Sequence, residues 1–158
     1  ADAWTTAGSG ISPGRSYAAV ATVNGKLYAI GGFSSTSSGA GTAVQEYDPV
    51  ANTMTTKASM PTARYGLVAV VLSNRVYAIG GFDDNRLPLN VVEMYDPVTN
   101  TWVTKTPMPI PRALAAAVVV NGKAYVIGGN TSCPPSVCTS PNDWSTGVVE
   151  VYDPAIDF

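Results

Sequence analysis

Histidine is missing from this chain of 158 residues. Without an imidazole, the chain lacks the usual general base at neutral pH, the partner of catalytic serines and cysteines, and the commonest metal ligand. Charged residues are scarce, at 13% with a net charge of −2, and no Lys/Arg cluster is present to follow a phosphate backbone. No apolar run approaches the roughly 20 residues of a membrane helix. We therefore expect no nucleic acid, membrane, metal or cofactor as a partner.

The sequence does contain one pattern of about fifty residues that is written three times. Glycine doublets recur at Gly31-Gly32, Gly80-Gly81 and Gly128-Gly129. In phase with them, an arginine recurs at Arg15, Arg64 and Arg112, and the segment Tyr-Asp-Pro recurs at 47–49, 95–97 and 152–154. A repeat of this length indicates a propeller or a solenoid, in which each repeat buries its surface against its neighbours.

The first half of each repeat predicts a tight β-hairpin. The first strands are nearly continuous apolar runs, typical of strands covered on both faces: Tyr17–Val23, Gly66–Leu72 and Leu114–Val120. Two-residue turns that tolerate positive φ angles follow them: Asn24-Gly25, Ser73-Asn74 and Asn121-Gly122. The second strands end on the glycine doublets: Lys26–Ile30, Arg75–Ile79 and Lys123–Ile127. At the doublets we expect the backbone to leave strand geometry or to be approached closely by a neighbour.

The second half of each repeat predicts two more strands after a loop of variable length. The third strands run up to the Tyr-Asp-Pro segments, at 44–47, 92–95 and 149–152. The Asp-Pro pair then turns the chain. The fourth strands are Thr53–Ala58 and Thr101–Thr106. No segment has a helical period of useful length, so the predicted fold class is all-β.

These residues resemble the kelch repeat. The central repeat has the full pattern of a glycine doublet, a tyrosine, a tryptophan and a Met-Pro approach to the next arginine: Gly80-Gly81, Tyr95, Trp102 and Met108-Pro109-Ile110-Pro111-Arg112. The first repeat departs from it, with Met54 in place of the tryptophan and Gln45 where the others have Glu93 and Glu150. The resemblance implies a β-propeller of four-stranded blades, with the first strand of each blade innermost around a channel.

The phase of the repeats divides the chain into three blades' worth of strands. Residues 1–12 predict an orphan outer strand, because Trp4-Thr5-Thr6 aligns with Trp102-Val103-Thr104. Blade 1 is 13–60, blade 2 is 61–108, and blade 3 is 109–158 without an outer strand of its own. Three blades do not readily close a ring. Two hypotheses follow: a homodimer that closes a six-bladed ring by exchanging outer strands, or a piece of a longer propeller.

The recurring arginines are the candidate binding residues. They stand at the start of each innermost strand, which symmetry places around one mouth of the channel. Guanidinium groups suit carboxylates, sulfates and phosphates, and the mouth is therefore a predicted site for an acidic peptide or acidic sugar, with these residues: Arg15, Ser16, Tyr17, Arg64, Tyr65 and Arg112. The alternative is that the arginines tie blades together through backbone carbonyls or glutamates. We interpret Glu46, Glu93 and Glu150 as packing residues, and Trp4 and Trp102 as blade-core residues.

The function predicted best by these features is a kelch-type binding scaffold, because variable loops on a rigid repeat carry no recognisable catalytic constellation. We assign no catalytic residue, although the enzyme question stays open. The alternative is a fragment of a larger propeller from a carbohydrate-active protein similar to sialic-acid epimerases. A third class is a purely architectural, self-assembling fragment.

The two cysteines bear on localisation. Cys133 and Cys138 lie in a loop insertion that is unique to the third repeat. Their spacing favours a local disulfide and hence an oxidising compartment, so we predict a secreted or periplasmic protein. The alternative is a pair of free thiols in a cytoplasmic protein.

Overall fold

The computed structural model describes residues 3–7, 10–34, 36, 39–131 and 145–157. Cys133 and Cys138 lie outside these residues, so the disulfide stays a prediction. The described residues form thirteen β-strands, in chain order: β1 (Ala19–Val23), β2 (Lys26–Ile30), β3 (Phe33–Ser34), β4 (Gly39–Ala40), β5 (Val44–Asp48), β6 (Thr53–Thr56), β7 (Val68–Leu72), β8 (Arg75–Ile79), β9 (Val92–Asp96), β10 (Thr101–Lys105), β11 (Ala116–Val120), β12 (Lys123–Ile127) and β13 (Val149–Tyr152). Within this part of the chain, no helix has the length and apolarity to cross a membrane.

The strands form three antiparallel sheets that correspond to the three repeats. Sheet 1 has the order β1-β2-β5-β6, sheet 2 has the order β7-β8-β9-β10, and sheet 3 has the order β11-β12-β13. The short pair β3-β4 lies in the loop after the first glycine doublet. The prediction of an all-β fold with four-stranded antiparallel blades is confirmed for the first two repeats. In the third repeat, the described residues supply three strands.

The hairpin turns agree with the prediction from turn chemistry. Asn24 and Gly25 have φ angles of 52° and 75°, and the equivalent turns of sheets 2 and 3 also have two positive φ angles each. The first strands, however, begin two residues later than predicted. Tyr17, Gly66 and Leu114 adopt φ angles of 55°, 63° and 54°, which no extended strand can contain. A left-handed residue therefore lies two positions before the first strand of each sheet.

These left-handed residues also join the sheets. The backbone N–H of Gly66 donates to the carbonyl of Tyr17 at 2.9 Å, and the N–H of Leu114 donates to the carbonyl of Gly66 at 2.8 Å. Strand β7 contacts both β1 and β11, so the first strands of the three sheets adjoin one another. This is the arrangement expected of strands that lie nearest a common axis.

Two hydrophobic cores lie between the stacked sheets. The first joins sheets 1 and 2 and includes Tyr28, Ile30, Val76 and Tyr95, and the second joins sheets 2 and 3. The expectation that the first strands are covered on both faces is wrong for β1 and β11 within a single chain, whereas residues of β7 contribute to both cores. Residues of β1 alternate between buried and exposed, and β11 is mostly exposed, because each of these end sheets has a neighbouring sheet on one side only within the described structure.

Trp4 lies outside every strand. Residues 3–7 are exposed, and the Trp4 side chain is fully accessible at 103% of its reference area. The prediction that Trp4 is a blade-core residue is therefore wrong within a single chain. Trp102, in contrast, packs against the first core.

Candidate functional site

The arginine that opens sheet 2 is enclosed by that sheet. Arg64 is 0% exposed. Its Nη1 donates to the carbonyls of Gly80 at 3.1 Å and Val91 at 2.8 Å. Its Nη2 donates to the carbonyl of Ala78 at 3.1 Å and to Glu93 Oε2 at 2.7 Å. The guanidinium group therefore donates to three backbone carbonyls of the second repeat as well as to a buried carboxylate.

The arginine that opens sheet 3 repeats this arrangement. Arg112 is 1% exposed, and its Nη1 donates to the carbonyls of Gly128 at 3.1 Å and Val148 at 2.9 Å. Its Nη2 contacts Glu150 Oε2 at 2.7 Å. Glu93 and Glu150 thus occupy equivalent positions as partners of arginines, in agreement with their interpretation as packing residues.

Each of these arginines connects two sheets. The backbone of Arg64 is hydrogen-bonded to the loop between β2 and β5 of the first repeat, since Gly32 N–H donates to the Arg64 carbonyl at 3.0 Å and Arg64 N–H donates to the Gly41 carbonyl at 3.1 Å. Its side chain enters sheet 2. Burial lowers the pKa of Arg64 to about 10, and the charge and hydrogen bond of Glu93 oppose this shift, so the group remains protonated at neutral pH. Arg64 and Arg112 have the geometry of the alternative interpretation, in which the arginines tie blades together.

The arginine of sheet 1 lacks such a set of partners. Arg15 Nη2 donates to the carbonyl of Ala29 at 3.1 Å, but its Nε and Nη1 are shielded from solvent and meet no acceptor among the described residues. Gln45 stands where the other sheets carry a glutamate. Its Nε2 donates to the Ser12 carbonyl at 3.0 Å, while its Oε1 has no donor within the same described residues. Burial lowers the pKa of Arg15. Among the described residues, sheet 1 therefore contains a partly buried guanidinium without a carboxylate partner.

This difference predicts a stabilising substitution. Gln45→Glu places a carboxylate beside Arg15, as in the other two sheets, and is expected to raise the free energy of unfolding by about 1 kcal/mol at pH 7, because it satisfies donors that are now unpaired. Urea unfolding of both proteins measures the difference. Gln45→Met is the matched control and should be less stable than the parent. A glutamate variant no more stable than the parent contradicts the prediction.

An aromatic cluster lies near the starts of the first strands of sheets 1 and 2, where the channel mouth is predicted. The Tyr65 ring lies with its centroid 6.1 Å from that of Tyr17, 5.4 Å from that of Phe33 and 5.5 Å from that of Phe82. Tyr17 is 61% exposed and Phe33 is 37% exposed. Ser16 is exposed and exchanges two backbone hydrogen bonds with Phe33. Three of the predicted binding residues, Ser16, Tyr17 and Tyr65, therefore lie together at an accessible surface.

Phe33 and Phe82 were not among the predicted binding residues, but the sequence does carry a signal for them. Each directly follows a glycine doublet. Each also forms an antiparallel β-bridge with the residue that follows a recurring arginine, Phe33 with Ser16 and Phe82 with Tyr65. The acidic-ligand site stays a prediction. Of its residues, Ser16 and Tyr17 are exposed, whereas Arg64 and Arg112 are enclosed.

Glu46 has a different environment from the other two glutamates. It lies one residue beyond Gln45 and points toward Tyr28, whose hydroxyl donates to Oε2 at 2.5 Å. Lys26 and Lys57 form ion pairs with it at 3.1 and 3.3 Å. Burial alone would raise the pKa of Glu46, but these hydrogen bonds outweigh burial and hold its pKa below the ordinary value. Glu46 is thus fixed as an anion between polar partners.

The end sheets present apolar surfaces. We name the side of each sheet toward the next repeat its trailing face, and the side toward the preceding repeat its leading face. On the trailing face of sheet 1, Ile30 and Val44 are 0% exposed because sheet 2 covers them. The equivalent residues of sheet 3, Ile127 and Val149, are 42% and 53% exposed. The trailing face of sheet 3 therefore has the chemistry of a covered interface without a cover in the described chain.

The leading face of sheet 1 shows the same contrast. Leu27 is 37% exposed, whereas its equivalent in sheet 2, Val76, is 0% exposed because sheet 1 covers it. Val20, on the same face, is 57% exposed. In both pairs of adjacent sheets, a trailing face packs on a leading face, so the two bare faces are complementary in kind.

Comparison with known proteins identifies the repeat. The Kelch motif matches residues 14–61 and 63–109, which together are more than half of the chain. No curated protein matches the sequence. The solved structure of YjhT is similar, with 28% sequence identity over 80% of this chain and a TM-score of 0.68. The match spans 37% of the YjhT chain, which is less than half of its length. The chain belongs to the kelch-repeat β-propeller family.

Proposed function

We propose that this chain is a kelch-type binding scaffold whose propeller is closed by a second copy of itself. The observation that carries the proposal is the pair of bare apolar faces. Residues equivalent to Ile127 and Val149 are fully buried where a neighbouring sheet is present, and contiguous apolar surfaces of this kind mark interaction sites. The trailing face of sheet 3 would pack on the leading face of sheet 1 in the partner, and the leading face of sheet 1 would pack on the trailing face of the partner's sheet 3. The two contacts would form one isologous C2 pair.

A charged substitution on the trailing face of sheet 3 tests this assembly. Val118, which is 48% exposed, is equivalent to Ala21, which is 6% exposed beneath sheet 2. Val118→Asp would place a carboxylate in the subunit interface, and we expect it to weaken dimerisation at least 100-fold, because a buried unpaired charge is strongly unfavourable. Sedimentation equilibrium measures the dissociation constant.

The control for this test is Val98→Asp. Val98 is 86% exposed in the turn between β9 and β10, on the central sheet, whose neighbours on both sides are present. The control should leave the dissociation constant unchanged. Equal effects of the two substitutions, or no effect of Val118→Asp, would contradict the proposed interface.

A longer propeller is the second candidate, and the comparison with YjhT favours it, since this chain spans 37% of that structure. In that case further blades of one chain cover the same two faces, and the activity of the whole belongs to those blades as well. The two candidates differ in one measurable property, which is whether the 158-residue chain associates with itself.

The ligand proposed for the scaffold is an acidic sugar or an acidic peptide at the channel mouth. Tyr17, Phe33 and Tyr65 offer partly exposed rings for stacking, and tyrosine is a common anchor in binding sites. Thermal-shift titration with N-acetylneuraminate, with a neutral hexose and with a glutamate-rich peptide compares the classes. We expect Tyr17→Ala to reduce ligand binding about tenfold with little loss of stability, because Tyr17 is the most exposed ring of the three. Equal responses to the neutral and acidic sugars would contradict acidic selectivity.

A further inference from the structure

A cavity of about 270 Å³ lies between the linker that follows sheet 2 and strand β13 of sheet 3. Thr106, Pro107 and Met108 line it from the linker, and Tyr152 and Ile156 line it from the third repeat. Ile156 is 75% exposed beside it. The equivalent space between sheets 1 and 2 holds the indole ring of Trp102.

The set of groups that surrounds the Trp102 indole, which we call its seat, provides an internal template for the third repeat. The indole Nε1–H donates to the Ala58 carbonyl at 2.9 Å, and the ring lies 5.1 Å from that of Tyr95, its cross-strand partner. Asn100 completes the seat, since its Oδ1 accepts from the Tyr95 hydroxyl at 2.7 Å and from Ala58 N–H at 2.9 Å.

Among the residues that the structure describes, the third repeat contains the same seat with no indole in it. Thr106 occupies the position of Ala58, and Tyr152 that of Tyr95. Asp157 replaces Asn100, and its carboxylate accepts from the Tyr152 hydroxyl and from Thr106 N–H, as the asparagine does in the template. Within the described residues, β13 pairs with β12 alone, whereas its equivalent β9 pairs with strands on both sides. The cavity therefore has the acceptor, the aromatic neighbour and the free strand edge that an incoming tryptophan strand requires.

The chain also contains a tryptophan that is equivalent to Trp102 in the repeat and is exposed. Trp4 aligns with Trp102 in the repeat, is followed by threonines that suit an extended strand, and is fully exposed. We infer that Trp4 of a second copy occupies this cavity, with its indole N–H directed at the Thr106 carbonyl, while residues 3–7 of that copy pair with β13. This inference rests on the proposed assembly of two copies, and it names the residue that anchors it.

Substitution of Trp4 in the full chain tests the seat. We expect Trp4→Ala to raise the dissociation constant of the dimer at least 100-fold, because a buried tryptophan at the centre of an interface is a typical hot spot. Trp4→Phe should raise it less. Val98→Ala removes an apolar side chain that is 86% exposed in the turn between β9 and β10, and it should leave the dissociation constant unchanged.

An experiment with a synthetic peptide distinguishes this inference from the proposed assembly. A synthetic peptide of residues 1–8 should compete with self-association of the full chain, and the same peptide with alanine in place of the tryptophan should not. A dimer with an unchanged dissociation constant in Trp4→Ala overturns the seat but leaves the assembly intact. A monomeric chain overturns the assembly. In that case the seat stands only if the tryptophan peptide binds to the monomer and the alanine peptide does not. The seat is overturned if neither peptide binds.

Discussion

Replacing Arg64 by leucine is expected to lower the free energy of unfolding by about 3–5 kcal/mol at pH 7. The substitution leaves the Glu93 carboxylate buried with its positive partner removed, and it also removes the donors of three backbone carbonyls in sheet 2. Because the Arg64 backbone is hydrogen-bonded to Gly32 and Gly41 of the first repeat, the loss also loosens the joint between two blades. Urea unfolding followed by circular dichroism measures the change.

The matched control is Arg75→Leu. Arg75 forms an ion pair with Asp96 at 3.1 Å, but its side chain is 45% exposed, so this substitution should cost no more than about 1 kcal/mol. Arg64→Leu combined with Glu93→Leu should be more stable than Arg64→Leu alone, because it removes the stranded carboxylate. If Arg64→Leu is as mild as Arg75→Leu, the structural role assigned to the buried arginine is wrong.

Gly31→Ala has the second largest expected effect. Gly31 has a φ angle of 62°, and a Cβ atom there would lie 2.6 Å from the carbonyl oxygen of Arg64. That oxygen accepts a hydrogen bond from Gly32 N–H, so it cannot move away without breaking the joint between sheets 1 and 2. We expect the free energy of unfolding to fall by about 3 kcal/mol, because the substitution adds backbone strain and displaces the hydrogen-bonded joint between the sheets.

Gly25→Ala separates the two contributions. Gly25 has a φ angle of 75°, but nothing lies within 4 Å of a Cβ atom placed there. Its substitution should therefore cost only the left-handed backbone strain of about 1 kcal/mol. Thermal unfolding of both variants at one pH gives the comparison. Equal losses at the two glycines would show that close approach of the blades does not explain the doublets.

The sequence predicted the parts of the fold that depend on local chemistry. The second strands have the predicted bounds because a positive-φ turn precedes each of them and a glycine doublet ends each of them. The first strands begin late because Tyr17 and Leu114 adopt left-handed angles that their side chains do not signal. These residues take part in hydrogen bonds between neighbouring sheets, which no local pattern reveals.

Less of the candidate site could be predicted from the sequence. Repeat symmetry places an arginine at the start of each innermost strand, but it does not say whether the guanidinium group faces the channel or the sheet. Only the three-dimensional pairing shows that Arg64 meets Glu93 across 29 positions of sequence. Likewise, Phe33 and Tyr65 come from different repeats, and their contact depends on the stacking of sheets 1 and 2.

The most direct test of the assembly is the molar mass of the unmodified 158-residue chain in solution, measured by sedimentation equilibrium over a range of concentrations. Closure of the propeller by a second copy predicts a particle of twice the 16.3 kDa chain mass, which dissociates on dilution as a single monomer–dimer equilibrium. A mass of one chain at every concentration would contradict it and would assign the bare faces of sheets 1 and 3 to blades of a longer chain.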